Sequence, residues 1–146
     1  MTPAQEFATP SVRTPPPGRP RFDPPGWSVE RFADFWSDPR PEDVPALVTD
    51  DVVGWWPGED QPVRGVEDYT AALALILRML PDMRLSVAEH ATNGDVVFIR
   101  WIMRATGRKG PFEFSGIDRI RMRDGRVAEN VIRFDPGHLR RLAGLD

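Results

Sequence analysis

The chain has 146 residues, 40% of them hydrophobic and 28% charged, which suits one globular domain and leaves no room for two. Its 22 acidic and 19 basic residues give a formal charge of −3, so no large cationic field is available for nucleic acid or a membrane surface. Cysteine is absent, which excludes disulfides, thiolate metal sites and a thiol nucleophile, and only His90 and His138 remain as imidazoles, too few for a metal centre built on them.

The first stretch is set apart by proline. Eight of the 16 prolines lie between Pro3 and Pro25, where fixed φ angles and missing amide donors favour extended chain over sheet or helix. Residues 1–27 are therefore read as an extended tail, with Phe7, Phe22 and Trp27 as the anchors if it drapes over a partner or a pocket mouth. Residues 28–136 are read as the folded domain and 137–146 as a C-terminal tail.

Within the domain, Ser28 stands at an N-cap position ahead of Val29, Phe32, Phe35 and Trp36, whose spacing predicts a helix over 28–37. Pro39 and Pro41 close it, and Glu42 to Val48 is expected to be a second short helix. Asp50 and Asp51 follow, adjacent carboxylates expected to serve as turn and capping groups. A first strand is expected over 52–56, and the most regular helix over 66–80, with Leu73, Ile76, Leu77 and Leu80 on its apolar face. Four strands follow, over 84–90, 96–106, 111–122 and 127–134, with Asn93-Gly94 and Asp124-Gly125 as hairpin signals. The longest apolar run, Ala71 to Leu77, is too short to cross a bilayer, and no basic stretch leads into an apolar signal core, so the protein is expected to be cytoplasmic.

Alternation assigns faces to these strands. Over 112–122 the even positions are Phe112, Phe114, Gly116, Asp118, Ile120 and Met122, which makes them the buried face and turns Arg119 and Arg121 outward. Asp118 is then a lone carboxylate on an apolar stripe. Either it pairs with an interior arginine or caps an amide, or it is a carboxyl of raised pKa able to act as acid, base or neutral hydrogen-bond donor. In the last strand Asn130, Ile132 and Phe134 share the inward face, and Val97, Ile99, Trp101 and Met103 are the charge-free set of the longest hairpin. Trp55, Trp56 and Trp101, with Phe114, Ile132 and Phe134, are expected to wall a pocket for a flat ligand. Glu59 or Asp60 is a second acid–base candidate if its loop folds inward, while His90 and His138 are expected to stand outside the chemistry.

The segments DDVVGWWPG (Asp50 to Gly58), RGVEDY (Arg64 to Tyr69) and FSGIDRIRMRDGRVAENVIRFD (Phe114 to Asp135) resemble the SnoaL-like polyketide cyclase group, within the superfamily of nuclear transport factor 2 and ketosteroid isomerase. The resemblance runs from about Phe32 to Pro136 and implies an α+β fold: a cone-shaped, curved, largely antiparallel mixed β-sheet wrapped around a long helix, with short N-terminal helices, an apolar pocket at the wide end and a homodimer formed through the sheet. It places Asp118 where ketosteroid isomerase holds the aspartic acid that donates to the dienolate oxygen, a case used as a general illustration of carboxyl pKa tuning. Trp56 falls where that enzyme has its proton-shuttling aspartate, and Phe32, Phe35 and Trp36 fall where it has its oxyanion tyrosine. Ile132 falls where SnoaL-like cyclases and limonene epoxide hydrolases carry a catalytic acid, and Asn130 where cyclases often carry histidine. Each familiar mechanism thus lacks a group. The expectation is a cofactor-free, metal-free enzyme acting on a hydrophobic, polyketide-like carbonyl compound as cyclase, isomerase or dehydratase. Asp118 would handle the proton and Asn130 would orient the substrate. The alternative is a non-catalytic binding or dimerisation module.

Overall fold

The computed structural model describes residues 27–145. The elements run α1 (Val29–Ser37), a 3₁₀ segment (Pro41–Ala46), β1 (Val48–Trp55), β2 (Val63–Arg64), α2 (Val66–Met79), β3 (Arg84–Asn93), β4 (Val96–Gly107), β5 (Gly110–Arg123), β6 (Arg126–Arg133) and α3 (Pro136–Ala143). The expected α+β class holds. The strands form one mixed six-stranded sheet in the order β2-β1-β6-β5-β4-β3, antiparallel throughout except where β1 runs parallel to β6.

Local chemistry explains the boundaries. The Ser28 side chain accepts from the Arg31 amide at 3.2 Å and starts α1. Asp124 (φ 54°) and Gly125 (φ 74°) both adopt the left-handed backbone that a two-residue β5–β6 turn requires. The β3–β4 hairpin also closes on two residues, Gly94 and Asp95, because Asn93 is paired with Val96. Register shifts between Val87 and Glu89 and between Arg121 and Met122 bend the ladder, the usual way a sheet gains curvature. Ile99, Ile120 and Val52 have the most completely enclosed side chains, so the core lies on the face that carries the even positions of β5.

Three expectations change. β1 begins at Val48, not at residue 52, so Asp50 and Asp51 are strand residues and not turn caps. Asp51 accepts from the Thr49 hydroxyl at 2.8 Å and pairs with Arg123 on the outer surface, which holds the polar run in place where the β1–β6 register shifts between Val48 and Val53. The loop after β1 contains the two-residue β2, whose Val63 and Arg64 pair with Gly54 and Val53. Residues 137–146, read as a tail, instead begin within α3, and Ala143 is only 1% exposed against the core. The capping is complete: the Asp135 side chain accepts from the His138 amide, Pro136 occupies the first turn, and Gly144 (φ 74°) ends the helix. Of the proposed tail anchors, Phe7 and Phe22 lie outside the described residues, whereas Trp27 donates its amide to Gly125 O at 2.6 Å.

Close backbone contact seats α3. Arg108 N donates to Ala143 O at 2.9 Å, and a Cβ on Gly107 would lie 2.6 Å from Ala143 Cα. Gly107→Ala is expected to lift α3 off β4 at a cost of about 1–3 kcal/mol. In hydrogen exchange, residues 139–143 should lose protection before the sheet does.

Candidate active site

The inner face of the sheet and the helices α1, α2 and α3 enclose a cavity of about 280 Å³, lined mainly by apolar side chains. Aromatic rings dominate its wall: Trp27, Phe32, Phe35, Trp36, Trp56, Trp101 and Phe134 all border it, with Met79, Met83, Leu80 and Leu85 between them. Asp118 and Asn130, the two residues expected to carry chemistry, face into it and are 5% and 6% exposed.

The sheet register brings the polar groups together. Asp118 on β5 lies directly opposite Ile99 on β4 and Ile132 on β6. Its hydrogen-bond partners come from the diagonal positions. Trp101 is opposite Gly116, where a Cβ would fall 2.4 Å from the indole ring, so the missing side chain gives that ring its seat. From there Trp101 Nε1 donates to Asp118 Oδ1 at 2.9 Å. Asn130 on β6 donates from Nδ2 to Asp118 Oδ2 at 3.0 Å and to the Tyr69 hydroxyl oxygen at 3.2 Å. Tyr69 descends from α2 over Gly54, where a Cβ would meet Trp56 Cζ3 at 2.4 Å and Tyr69 Cε2 at 2.8 Å.

Tyr69 is the residue of the candidate site that sequence reasoning missed. It is the only tyrosine of the chain and stands on the inner face of α2, one turn before Leu73. Those two facts were readable; its meeting with Asn130, 61 residues away, was not. The resemblance places an oxyanion tyrosine on the first helix, but there Phe32, Phe35 and Trp36 supply only rings. The hydroxyl that reaches the carboxylate cluster comes from the second helix. It accepts from Asn130 and finds no acceptor for its own proton among the described residues.

The network is neutral apart from Asp118. Burial pushes the Asp118 carboxyl up to about 6, and the bonds from Asn130 and Trp101 pull the other way without cancelling it. No guanidinium or ammonium touches it among the described residues, so the ordinary arginine clasp is excluded. Burial also drives the Tyr69 hydroxyl above its ordinary value, so it remains protonated and is a donor.

Trp56, Trp101, Ile132 and Phe134 line the cavity as expected, but Trp55 and Phe114 do not. Trp55 follows the outward parity of β1 and donates Nε1 to Glu129 Oε2 at 3.3 Å on the opposite side of the sheet. Phe114 stands behind the wall, its ring 6.3 Å from Trp101 and 5.6 Å from Phe134. Glu59 and Asp60 are exposed, so their loop supplies no second acid. His90 is exposed; His138 is also exposed and lies edge-on to Phe114, outside the cavity wall. Arg119 and Arg121 occupy the outer face, held by Glu129 and Asp95. Among the described residues, no group of three His, Asp or Glu side chains is arranged to hold a metal, and no helix is long and apolar enough to cross a membrane.

A curved sheet folded over helices around such a cavity is the ketosteroid isomerase-like, or nuclear transport factor 2-like, architecture. A protein of ketosteroid isomerase-like fold from Catenulispora acidiphila, in complex with trimethylamine, superposes with a TM-score of 0.72 at 16% identity, covering 84% of this chain and 96% of its own. A protein assigned as a SnoaL-like polyketide cyclase from Jannaschia sp. CCS1 gives 0.71 at 17% identity, covering 81% and 90%. IdmH of Streptomyces antibioticus, assigned as a polyketide cyclase, gives 0.69 at 23%, covering 80% and 95%. The chain belongs to the SnoaL-like domain family, whose match spans residues 29–130. No curated protein matches the sequence.

The raised carboxyl has a thermodynamic signature. Between the ordinary 3.8 and about 6, the folded protein keeps a proton that the unfolded chain has released. This contribution to stability is therefore fully present below about pH 4, falls as pH rises, and has gone above about pH 6, a loss of about 3 kcal/mol. Asp118→Asn removes the titration, and Asn130 can turn its amide so that Oδ1 accepts from the new side chain and from Tyr69. The variant is expected to melt about 10 °C above the parent at pH 7.5 and level with it at pH 4.

Proposed function

We propose that this protein is a cofactor-free enzyme that transfers a proton on a hydrophobic, polyketide-like carbonyl compound, as a cyclase, isomerase or dehydratase. The observation that carries the reading is the Asp118 carboxyl, buried beside the cavity without a counter-charge and raised to about 6. A base of that strength is ionised at neutral pH, yet takes a carbon-bound proton more readily than a solvated carboxylate does. Asp118 breaks the C–H bond next to the substrate carbonyl and becomes protonated, and the bonding pair moves onto the carbonyl oxygen as an enolate. The Tyr69 hydroxyl, protonated and with a free hydrogen, donates to that oxygen. Asn130 spans the two groups and holds their spacing. Returning the proton from Asp118 to a different carbon completes an isomerisation; attack of the enolate carbon on a second carbonyl closes a ring, the new alkoxide taking the proton held by Asp118; and transfer of that proton to a β-hydroxyl, which leaves as water while the enolate pair forms the C=C bond, completes a dehydration. The aromatic wall keeps water from quenching the enolate.

One observation favours a second reading, a non-catalytic binder. Both Asp118 oxygens already have donors, and Trp56 and Ile132 stand on the cavity wall where the resemblance would place acids. The homodimer implied by the resemblance belongs to either reading. Phe98 and Ile117, 42% and 44% exposed on the outer sheet face, are the residues it would cover.

The test is deuterium uptake at the acidic carbon of 2-tetralone in D₂O. Exchange above the buffer rate should climb with pH and level off above about 6, following ionisation of Asp118. Asp118→Asn should lower it by about 10²–10³-fold and Tyr69→Phe by about tenfold. Ketone binding without exchange would establish the binder, and undiminished exchange in Asp118→Asn would remove the base.

A further inference from the structure

Among the described residues the cavity wall contains two charged side chains, Asp118 and Arg140, and they differ in surroundings. Asp118 is enclosed at the sheet, whereas Arg140 belongs to the last turn of α3 and is exposed at the cavity's edge. Arg140 has no ion pair among the described residues; other arginines share that, but none of them borders the cavity. Asp135, the acid nearest it in sequence, is occupied in capping α3. Arg140 and Arg141 both suit a helix C-terminus electrostatically, but only Arg140 borders the cavity.

We infer that the ligand is a flat hydrophobic carbonyl compound carrying one anionic group remote from its carbonyl, and that Arg140 binds the anion at the cavity mouth and so fixes which end enters. The inference rests on the carbonyl reading of the site and adds the substrate's charge and orientation. The interior enforces the same polarity. An anion carried inward would meet the Asp118 carboxylate in a medium that screens poorly, so the reversed pose is disfavoured while the forward pose gains an ion pair. Among the described residues the rest of the wall is rings, aliphatic and methionine side chains and the neutral Tyr69 and Asn130, which match an uncharged aromatic body. Arg140 is thus a specificity residue and takes no part in the proton transfer.

The probes are 4-benzoylbenzoate, an aryl ketone with a distant carboxylate, and its uncharged methyl ester, with binding read by tryptophan fluorescence. The acid should bind about tenfold more tightly than the ester, and the preference should shrink as salt is raised. Arg140→Gln should bring the two within about twofold by weakening the acid alone, whereas Arg141→Gln, which makes the same change to the helix end, should keep the preference. If the ester binds and the acid binds no better, or if Arg141→Gln abolishes the preference equally, the inference falls while the carbonyl reading stands. If neither probe binds, the carbonyl reading falls and takes the inference with it.

Discussion

Asp118 sits in the interior with one oxygen held by an indole N–H and the other by an amide N–H, and neither donor carries charge. Two neutral hydrogen bonds compensate a buried carboxylate only in part, and the raised pKa expresses the shortfall. Much of the surrounding structure supports that one group. Gly116 vacates the space that Trp101 fills, Gly54 vacates the space that Tyr69 and Trp56 fill, and the cross-strand neighbours Ile99 and Ile132 seal the carboxylate from both sides. A cation in place of either neutral donor would stabilise the fold and return the carboxyl to the ordinary range, where its basicity is spent.

The donors also explain why the fold needs a mixed sheet at this point. β5 and β4 are antiparallel and bring Trp101 diagonal to Asp118; β5 and β6 do the same for Asn130. Tyr69 depends on a different relation. β1 returns parallel to β6 and places Gly54 opposite Asn130, so the helix that follows β1 can lower a ring onto the amide. Three polar side chains of the site thus descend from three kinds of neighbour: a hairpin partner, a second hairpin partner, and a helix above a parallel strand. Only the first two are short-range in the chain.

That division marks what could be read from the sequence. Period-two alternation identified Asp118 and Asn130 as inward residues, because parity within a strand needs no knowledge of its partners. The same rule, applied strictly to β1, separates Trp55 from Trp56, and treating the pair as one aromatic wall was a failure to use it. Phe114 has the inward parity and is buried, but parity does not distinguish a ring at the cavity from one packed behind Trp101. Tyr69 could not be placed from local pattern, since the contact that defines it depends on tertiary packing. The α3 helix was legible in its caps, Asp135, Pro136 and Gly144, and in the helical spacing of Leu139, Leu142 and Ala143, but at eight residues beginning Pro136-Gly137 it is short enough to pass for a tail. The polar opening of β1 was hidden for the opposite reason: Thr49, Asp50 and Asp51 look like a turn until Arg123 stands across from Asp51.

The apolar residues at Trp56 and Ile132 give the site its remaining logic. In a cavity of about 280 Å³, a second carboxyl at either position would stand near Asp118 and share its titration, raising one pKa at the other's expense. With rings and aliphatic groups there, Asp118 is the sole carboxyl of the inner wall among the described residues, and burial outweighs its two hydrogen bonds in setting its basicity. Tyr69 adds a hydrogen-bond donor without adding charge at neutral pH, because the same burial suppresses its ionisation. Two groups, one raised acid and one silenced phenol, thus stand in one neutral-walled cavity, and the amide that donates to both fixes their separation; under the proposed reading they divide proton acceptance from hydrogen-bond donation.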